Sequence, residues 1–151
     1  MQITRFTVRV YGLLLNSKGQ LLVTNELFEN QYVTKLPGGG IEFGEGTIEA
    51  LKREFDEECD CPIQVLEHIY TTDFFIQSVF SPNTQVFGIY YRVLSPPNFV
   101  FLAKYLTNNT DNNVLPQIVF RWVDLASITP NFFSFESDNR AVQALLQQKK
   151  G

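Results

Sequence analysis

Three glutamates, Glu54, Glu57 and Glu58, carry the first chemical signal in this chain. On a helix, spacings of three and four residues set all three carboxylates on one face. Like charges so placed weaken a helix by roughly 0.2–0.5 kcal/mol per pair. At about 6 Å and an effective dielectric near 20, two of them repel by roughly 3 kcal/mol. Either solvent or a cation must offset that repulsion. A solvated face is sufficient as a structural explanation, with Lys52 and Arg53 pairing locally. The chemical explanation is a hard divalent ion, above all Mg2+, which takes a few carboxylates and shares its remaining positions with water and phosphate oxygens. Two neighbouring features favour chemistry. From Glu42 to Asp60 eight acids face two bases, a net −6 in a chain whose total is −4. Just upstream, Gly38-Gly39-Gly40 offers bare backbone that tolerates positive φ and lets a ligand approach.

The spacing itself is informative. Gly39, five residues, Glu45, seven residues, then Arg53-Glu54-Phe55-Asp56-Glu57-Glu58 resembles the Nudix box, G-x5-E-x7-R-E-U-x-E-E-x-G-U, where U is bulky and apolar. Six of its seven fixed positions are met, Phe55 serves as the first U, and Cys61 is a small substitute for the second. The box spans about a sixth of the chain, and the flanks VRVYGLLLNSKGQLLVTNE and FRWVDLASI are also similar to this family.

That resemblance implies an α/β fold, an α/β/α sandwich around a mixed central sheet. It also implies hydrolysis of a nucleoside diphosphate linked to a group X: a nucleoside triphosphate, a nucleotide sugar or a dinucleotide. Mg2+ or Mn2+ would neutralise the diphosphate, consistent with phosphoryl chemistry that depends on positioning and charge more than on covalent help. Carried over position by position, Glu57 and Glu58 become the core metal ligands. Glu54 becomes a ligand or a group that orients water, and the Gly38 carbonyl joins the metal shell. Arg53 would hold a glutamate by a charge-assisted bond. Glu45 would support the turn into the helix, and Gly39 and Gly40 would lie against substrate. The alternative is a catalytically weak member that senses a nucleotide as a binding module; the intact glutamates speak against it.

There are two departures from the pattern. Asp60 stands where the family has glycine, at the expected helix C-cap, and Asp reaches positive φ less readily than Gly. Many relatives also supply a further acid shortly before a tryptophan, here Trp122. Residues Gln117 to Arg121 contain none, which leaves Asp111, a residue type that also simply forms turns.

These residues need elements to hold them. Ile3 to Asn16 alternates, with Phe6, Val8 and Val10 on one face and Arg5, Thr7, Arg9 and Tyr11 on a polar second face. Arg5 and Arg9, together with Lys35 beside the glycines, are candidate substrate contacts, since guanidinium suits phosphate; solvated charges are the alternative. Asn16 to Gln20 reads as a turn, Leu21 to Val23 as the returning strand, and Tyr32 to Leu36 as a short strand ended by Pro37. Pro37 to Gly40 should break regular structure. From Glu45 the period changes to three and four, with Ile48, Leu51, Phe55 and Cys59 as a narrow apolar stripe until Pro62. Strands follow at Ile63 to Tyr70, running on towards Val79, at Thr84 to Leu94 and at Gln117 to Val123. A polar loop covers Lys104 to Pro116, and Ser134 to Lys150 forms a last helix.

The 151 residues suit one domain, 1–151, with an ordinary 44% hydrophobic and 19% charged content. The acidic balance argues against a nucleic-acid polymer as partner. No run approaches the roughly 18 apolar residues of a membrane span, and the N-terminus lacks a signal-peptide pattern, so the expectation is a cytoplasmic protein acting on a small-molecule nucleotide. Cys59 and Cys61 are too close for an unstrained bridge and read as free, partly buried thiols. His68 is a strand residue. Trp122 belongs in or beside the core. Tyr70, Phe74, Phe75 and Phe87 are expected in the core rather than stacked on a base. Phe132, Phe133 and Phe135 would either cap the core or form a homodimer contact.

Overall fold

The computed structural model describes residues 2–101 and 117–150. Asp111 and the polar segment 104–116 lie outside them. Among the described residues, seven strands and two long helices follow one another as β1 (Arg5–Leu14), β2 (Gln20–Phe28), β3 (Gln31–Lys35), β4 (Gly38–Gly40), α1 (Thr47–Cys59), β5 (Gln64–Thr71), β6 (Thr84–Leu94), β7 (Ile118–Asp124) and α2 (Glu136–Lys150). A short 3-10 turn, Leu125–Ser127, follows β7.

The strands form two sheets, one ordered β4-β1-β6-β5 and the other β3-β2-β7. The first is mixed: β1 runs parallel to β6 and antiparallel to β4. Alternation along β1 divides the core in two. Val10 and Leu14 join Ala50, Leu51, Phe55 and Cys59 of α1, whereas Tyr11 and Leu13 join Ala141, Val142 and Leu145 of α2. The sheets therefore lie between two helices, each burying one apolar stripe, the expected α/β/α layering. Gly12 sits where a Cβ would meet the Phe55 ring at 2.8 Å, so α1 packs directly onto bare β1 backbone.

Several local expectations are corrected. The glycine segment does not break the sheet: Gly38–Gly40 adds a short strand, with Arg9 opposite Gly40 and Tyr11 opposite Gly38. Gly38, at φ 151°, accepts no side chain, because a Cβ there would strike the Val10 carbonyl and Tyr11. On α1 the apolar stripe is Ala50, Leu51, Phe55 and Cys59, and Ile48 lies outside it at 44% exposure. At the start of β1 the expected faces invert. Phe6 is 69% exposed, while Arg9 is half-buried and Tyr11 buried. The reason is that α1 covers β1 only from Val10 onward. β5 stops at Thr71, and only a single bridge, Gln77 to Gln85, marks the segment towards Val79.

Both cysteines are fully buried and free, and burial raises both thiols, Cys61 to about 11. Trp122 packs half-buried against the α1-side core, and Phe133 is buried beneath α2. Phe75 and Phe87 are exposed rather than core, at 58% and 37%. Phe74 is half-buried with the Arg140 guanidinium 3.9 Å over its ring, and Tyr70 is half-buried with its hydroxyl donating to Asp73 at 2.8 Å. His68 is an exposed strand residue bonded to Thr71.

Candidate active site

The acidic residues come together around one cation. Arg53, on the first turns of α1, aims its fork back at the loop before the helix. Its Nε and Nη2 donate to the two oxygens of Glu45 at 2.7 and 2.8 Å, and Nη2 also donates to the Gly40 carbonyl at 3.0 Å. Its Nη1 donates to Glu54 at 3.1 Å and to Glu57 at 3.2 Å. One guanidinium thus joins loop, β4 and helix, as a planar bidentate donor can and an ammonium cannot. The hydrogen bonds to Glu45 are the main reason the Arg53 pKa rises and the Glu45 carboxyl falls to about 2. The loop is closed further by the Glu42 amide donating to Glu45 at 2.9 Å, and the Gly46 amide donates to Glu49 in the first turn of α1 at 3.3 Å.

Glu54 turns inward, with a side chain 14% exposed. A Cβ on Gly39 would collide with its carboxylate, so the glycine gives that group its space. Glu58 is half-buried on the next turn. Burial pushes its carboxyl up to about 8, and the neighbouring Glu54 and Glu26 add to the rise while Lys35 opposes it. A hydrogen bond to Glu54 also raises the Glu58 carboxyl. Glu57 is more open, its side chain 57% exposed and leaning on Arg53.

As these side chains stand, no three His, Cys, Asp or Glu groups among the described residues converge closely enough to enclose a metal ion. The donor set nevertheless fits one. All donors are hard oxygens, Glu54 acts on the half-buried Glu58 as a like charge, and Glu57 is exposed enough to turn. The bare backbone of Gly39 lies against the Glu54 carboxylate.

A cavity of about 430 Å3 opens along the first half of β1. Arg5, Thr7, Arg9 and Tyr11 form its floor along β1, with Lys35 and Asp138 at one end and Ile76 to Ser81 as the opposite wall. All three cations named as substrate contacts therefore line one space. Gly39 and Gly40 do not line it; they back Glu54 and Arg53. Arg9 donates Nε to the Tyr11 hydroxyl at 2.6 Å. Burial works against its charge, yet Tyr11, Glu26 and Glu54 hold its pKa above the ordinary value. Arg9 also lies 3.9 Å from the space beside Gly40, which ties the cavity to the glycine strand.

Four residues at this junction escaped the sequence reading. Tyr11 stacks on Tyr90 with ring centroids 5.0 Å apart. The Tyr90 hydroxyl donates to Asp138 at 2.6 Å, and Asp138 also accepts from the Leu36 amide at 3.4 Å. Burial, more than any charge, raises Asp138 to about 6. Glu26, on β2, pairs with Lys35 at 3.3 Å. The signal for Glu26 was its place in a strand at even spacing from Leu22 and Thr24, an acid on the same face as both. Asp138 offered none beyond an acid in the first turn of a helix.

The NUDIX domain family model matches residues 5–145. Among solved structures the chain is similar to a MutT protein from Methanosarcina mazei Go1, at 18% identity and TM-score 0.72, covering 100% of both chains. It is similar to the E. coli ORF135 protein at 14% identity and TM-score 0.71, covering 97% of this chain and 92% of that one. It is also similar to the E. coli dihydroneopterin triphosphate pyrophosphohydrolase, at 13% identity and TM-score 0.69, covering 96% of this chain and 99% of that one. At these identities the likeness is one of fold. No curated protein sequence matches the chain.

Proposed function

The chain belongs to the NUDIX domain family, and from that premise we propose that it is a metal-dependent hydrolase, a single catalytic domain cutting the diphosphate linkage of a nucleoside diphosphate bonded to X. One observation supports the reading: Arg9 and Lys35 line one cavity, and their charges bear on Glu54 and Glu58 of α1. Anion-binding and cation-binding groups meet at one edge, which is what a magnesium-bound diphosphate requires.

In this reading Glu54, Glu57, Glu58 and the Gly38 carbonyl would hold Mg2+ or Mn2+. The bound ion supplies charge neutralisation of the diphosphate and a lowered pKa for the attacking water. Arg53 keeps Glu54 and Glu57 oriented and, through Glu45 and the Gly40 carbonyl, fixes the glycine strand against them. Glu58, whose carboxyl burial raises to about 8, would act as a ligand in its ionised form. Arg9 and Lys35 would receive phosphate oxygens, and Arg5 lines the cavity further along the strand. The nucleoside would occupy the space between β1 and residues 76–81. No helix among the described residues is long and apolar enough to cross a membrane.

The test is hydrolysis of a panel of nucleoside triphosphates, nucleotide sugars and dinucleotides with Mg2+ or Mn2+, before and after chelation. Glu57→Gln should stay folded and lose about 10²-fold or more in turnover, the scale of removing one electrostatic stabiliser. Nucleotide binding without turnover at saturating metal would replace the hydrolase with a nucleotide-sensing module.

A further inference from the structure

Five of the six arginines donate to a side chain of the protein: Arg9 to Tyr11, Arg53 to Glu45, Arg92 to Glu67, Arg121 to Asn25 and Arg140 to Glu136. Arg5 is the exception. It is exposed, and among the described residues its guanidinium has no acid, carbonyl or hydroxyl partner. The chain does not lack acids, with 16 against 12 bases. Yet Arg5 lines the cavity, on the same face of β1 as Arg9 and four residues from it, roughly 13 Å by the rise of a strand. The one acid among the lining residues, Asp138, is already bonded to Tyr90 and to the Leu36 amide.

Hydroxyl groups surround the Arg5 end. Thr84 stands opposite Arg5 in the β1–β6 ladder and is buried, 4% exposed. Its hydroxyl donates to Ser81 Oγ at 3.0 Å. The Ser81 amide donates to Ser78 Oγ at 3.2 Å, and the Ser78 amide to the Thr84 carbonyl at 2.9 Å. All three residues line the cavity with Arg5. The turn that carries them is fixed to the start of β1, because the Asn83 carbonyl accepts from the Thr4 and Arg5 amides at 2.9 and 3.3 Å. The Gln77 side chain closes the same turn on the Pro82 carbonyl at 2.7 Å. Between the two arginines the lining becomes apolar at Val86, which lies opposite Thr7, and at Ile76, whose carbonyl accepts from the Val86 amide at 2.9 Å. The cavity thus has cations towards both ends and apolar surface between them. An unengaged guanidinium among held hydroxyls is a donor set for phosphate oxygens, which a planar fork meets with two bonds.

We propose that the Arg5 end of the cavity is a second anion subsite, taking a phosphate ester carried by the nucleoside itself, away from the diphosphate. The inference rests on the reading that the nucleoside lies between β1 and residues 76–81 with its diphosphate at Arg9 and Lys35. It narrows the substrate class to nucleoside diphosphate derivatives phosphorylated a second time on the ribose. Arg5 is then a specificity residue, and Ser78, Ser81 and Thr84 shape its pocket.

The experiment compares three probes on the intact protein without metal, by calorimetry: adenosine 5'-diphosphate and its 2'-phosphorylated and 3'-phosphorylated forms. One phosphorylated form should bind about tenfold or more tightly than adenosine 5'-diphosphate, the effect of added charge-assisted hydrogen bonds. Arg5→Gln should bring that pair to near-equal affinity, whereas Arg9→Gln should weaken both members alike and keep their ratio. Equal binding of all three probes by the wild type overturns the subsite. So does a preference that survives Arg5→Gln, because the extra phosphate is then held elsewhere. Arg9→Gln separates the two levels of argument. If it leaves adenosine 5'-diphosphate binding unchanged, the diphosphate is not where the underlying reading puts it, and the subsite falls with that reading. If it weakens both probes while Arg5→Gln leaves their ratio intact, only the subsite has failed.

Discussion

Two carboxyl clusters stand at the N-terminal ends of the two helices, and their chemistry runs in opposite directions. Before α1, Glu45 is gripped by Arg53 near solvent and its pKa drops to about 2. In the first turn of α2, Asp138 is enclosed, accepts from Tyr90 and Leu36, and rises to about 6. Both acids lie where a helix dipole favours negative charge. The dipole therefore does not decide the outcome. A contacting cation decides it in one case and loss of water in the other. The first cluster joins loop, glycine strand and helix through one guanidinium. The second joins α2 to β6 and to the backbone just ahead of the glycine strand.

The largest effect should come from removing the cation of the first cluster. Arg53→Ala leaves Glu45, Glu54, Glu57 and the Gly40 carbonyl without their common donor. Turnover should fall by about 10²-fold or more, as when an electrostatic stabiliser is deleted. Stability should fall less sharply than turnover: the Glu57 pair is exposed and contributes only about 0–1 kcal/mol, while the half-buried Glu45 and Glu54 can still reach water. Arg53→Lys should recover only a small part of the activity, since an ammonium cannot span Glu45, Glu54 and Glu57 with a rigid fork. If stability collapses along with activity, the two clusters do not differ as described. Steady-state kinetics combined with urea unfolding makes the distinction.

Next in size is Asp138→Ala, which strands the Tyr90 hydroxyl and the Leu36 amide in the interior. Leaving such groups unsatisfied costs about 1–3 kcal/mol apiece, so a loss of several kcal/mol in unfolding free energy is expected. Activity measured well below the melting temperature should suffer less than in Arg53→Ala. A near-neutral stability change would mean that the Tyr90–Asp138 bond is not a structural tie.

The pH dependence sharpens the contrast, because the signs are opposite. Asp138 binds its proton more tightly folded than unfolded. Its contribution is complete below the unfolded value of 3.8 and is lost as pH rises through about 6. The span is worth on the order of 3 kcal/mol. Asp138→Asn cannot titrate, so its stability relative to wild type should improve between pH 4 and pH 7. Glu45 behaves in reverse: its contribution is present above 4.5 and is lost as pH falls through about 2. Glu45→Gln should therefore lie below wild type at pH 6 and converge with it near pH 2. Parallel curves for either variant would remove that carboxyl from the account.

The two clusters also differ in how far the sequence revealed them. Arg53 and its acids lie close together in the chain, on one helix and the loop before it; spacing alone set Glu54, Glu57 and Glu58 on one face, and the resemblance to the Nudix box added Arg53 and Glu45. Asp138, Tyr90, Tyr11 and Lys35 come from four elements, and nothing in local periodicity indicates that β1 and β6 run parallel and stack Tyr11 on Tyr90. The same limit explains the inverted start of β1. Alternation marks a strand with two faces, but the extent of α1 determines which face is covered, and α1 covers Val10 and not Phe6 or Val8. The glycine strand was misread because glycine punctuates local structure, whereas here its missing side chain permits close pairing with β1. Helix ends were more legible, since caps and breakers act within a few residues.

The smallest expected effect lies at such an end. Asp60 closes α1 with φ 54° and ψ 33°, the left-handed region. Its amide donates to the Asp56 carbonyl at 3.0 Å and the Cys61 amide to the Phe55 carbonyl at 3.3 Å, the bonding that glycine ordinarily makes at a helix terminus. For Asp the left-handed conformation carries up to about 1–2 kcal/mol of steric strain, less than for bulkier residues. Its negative charge at the C-terminal end of the dipole is unfavourable by about 0.3–1 kcal/mol. Glycine removes both terms but loses about 0.4–1 kcal/mol through its freer unfolded chain. Asp60→Gly should therefore stabilise the protein by a few tenths of a kcal/mol up to about 1 kcal/mol, by that arithmetic. Activity should be unaffected, because the carboxylates named above sit further up the helix. The exposed carboxylate also bears on the Cys59 thiol and helps to raise it, so the thiol should react slightly faster with a disulfide reagent in the variant. A clear loss of stability would mean that the Asp60 side chain makes a bond stronger than the strain it carries. A loss of turnover with intact melting behaviour would extend the first cluster to the far end of α1, where the comparison with Asp138 places no function.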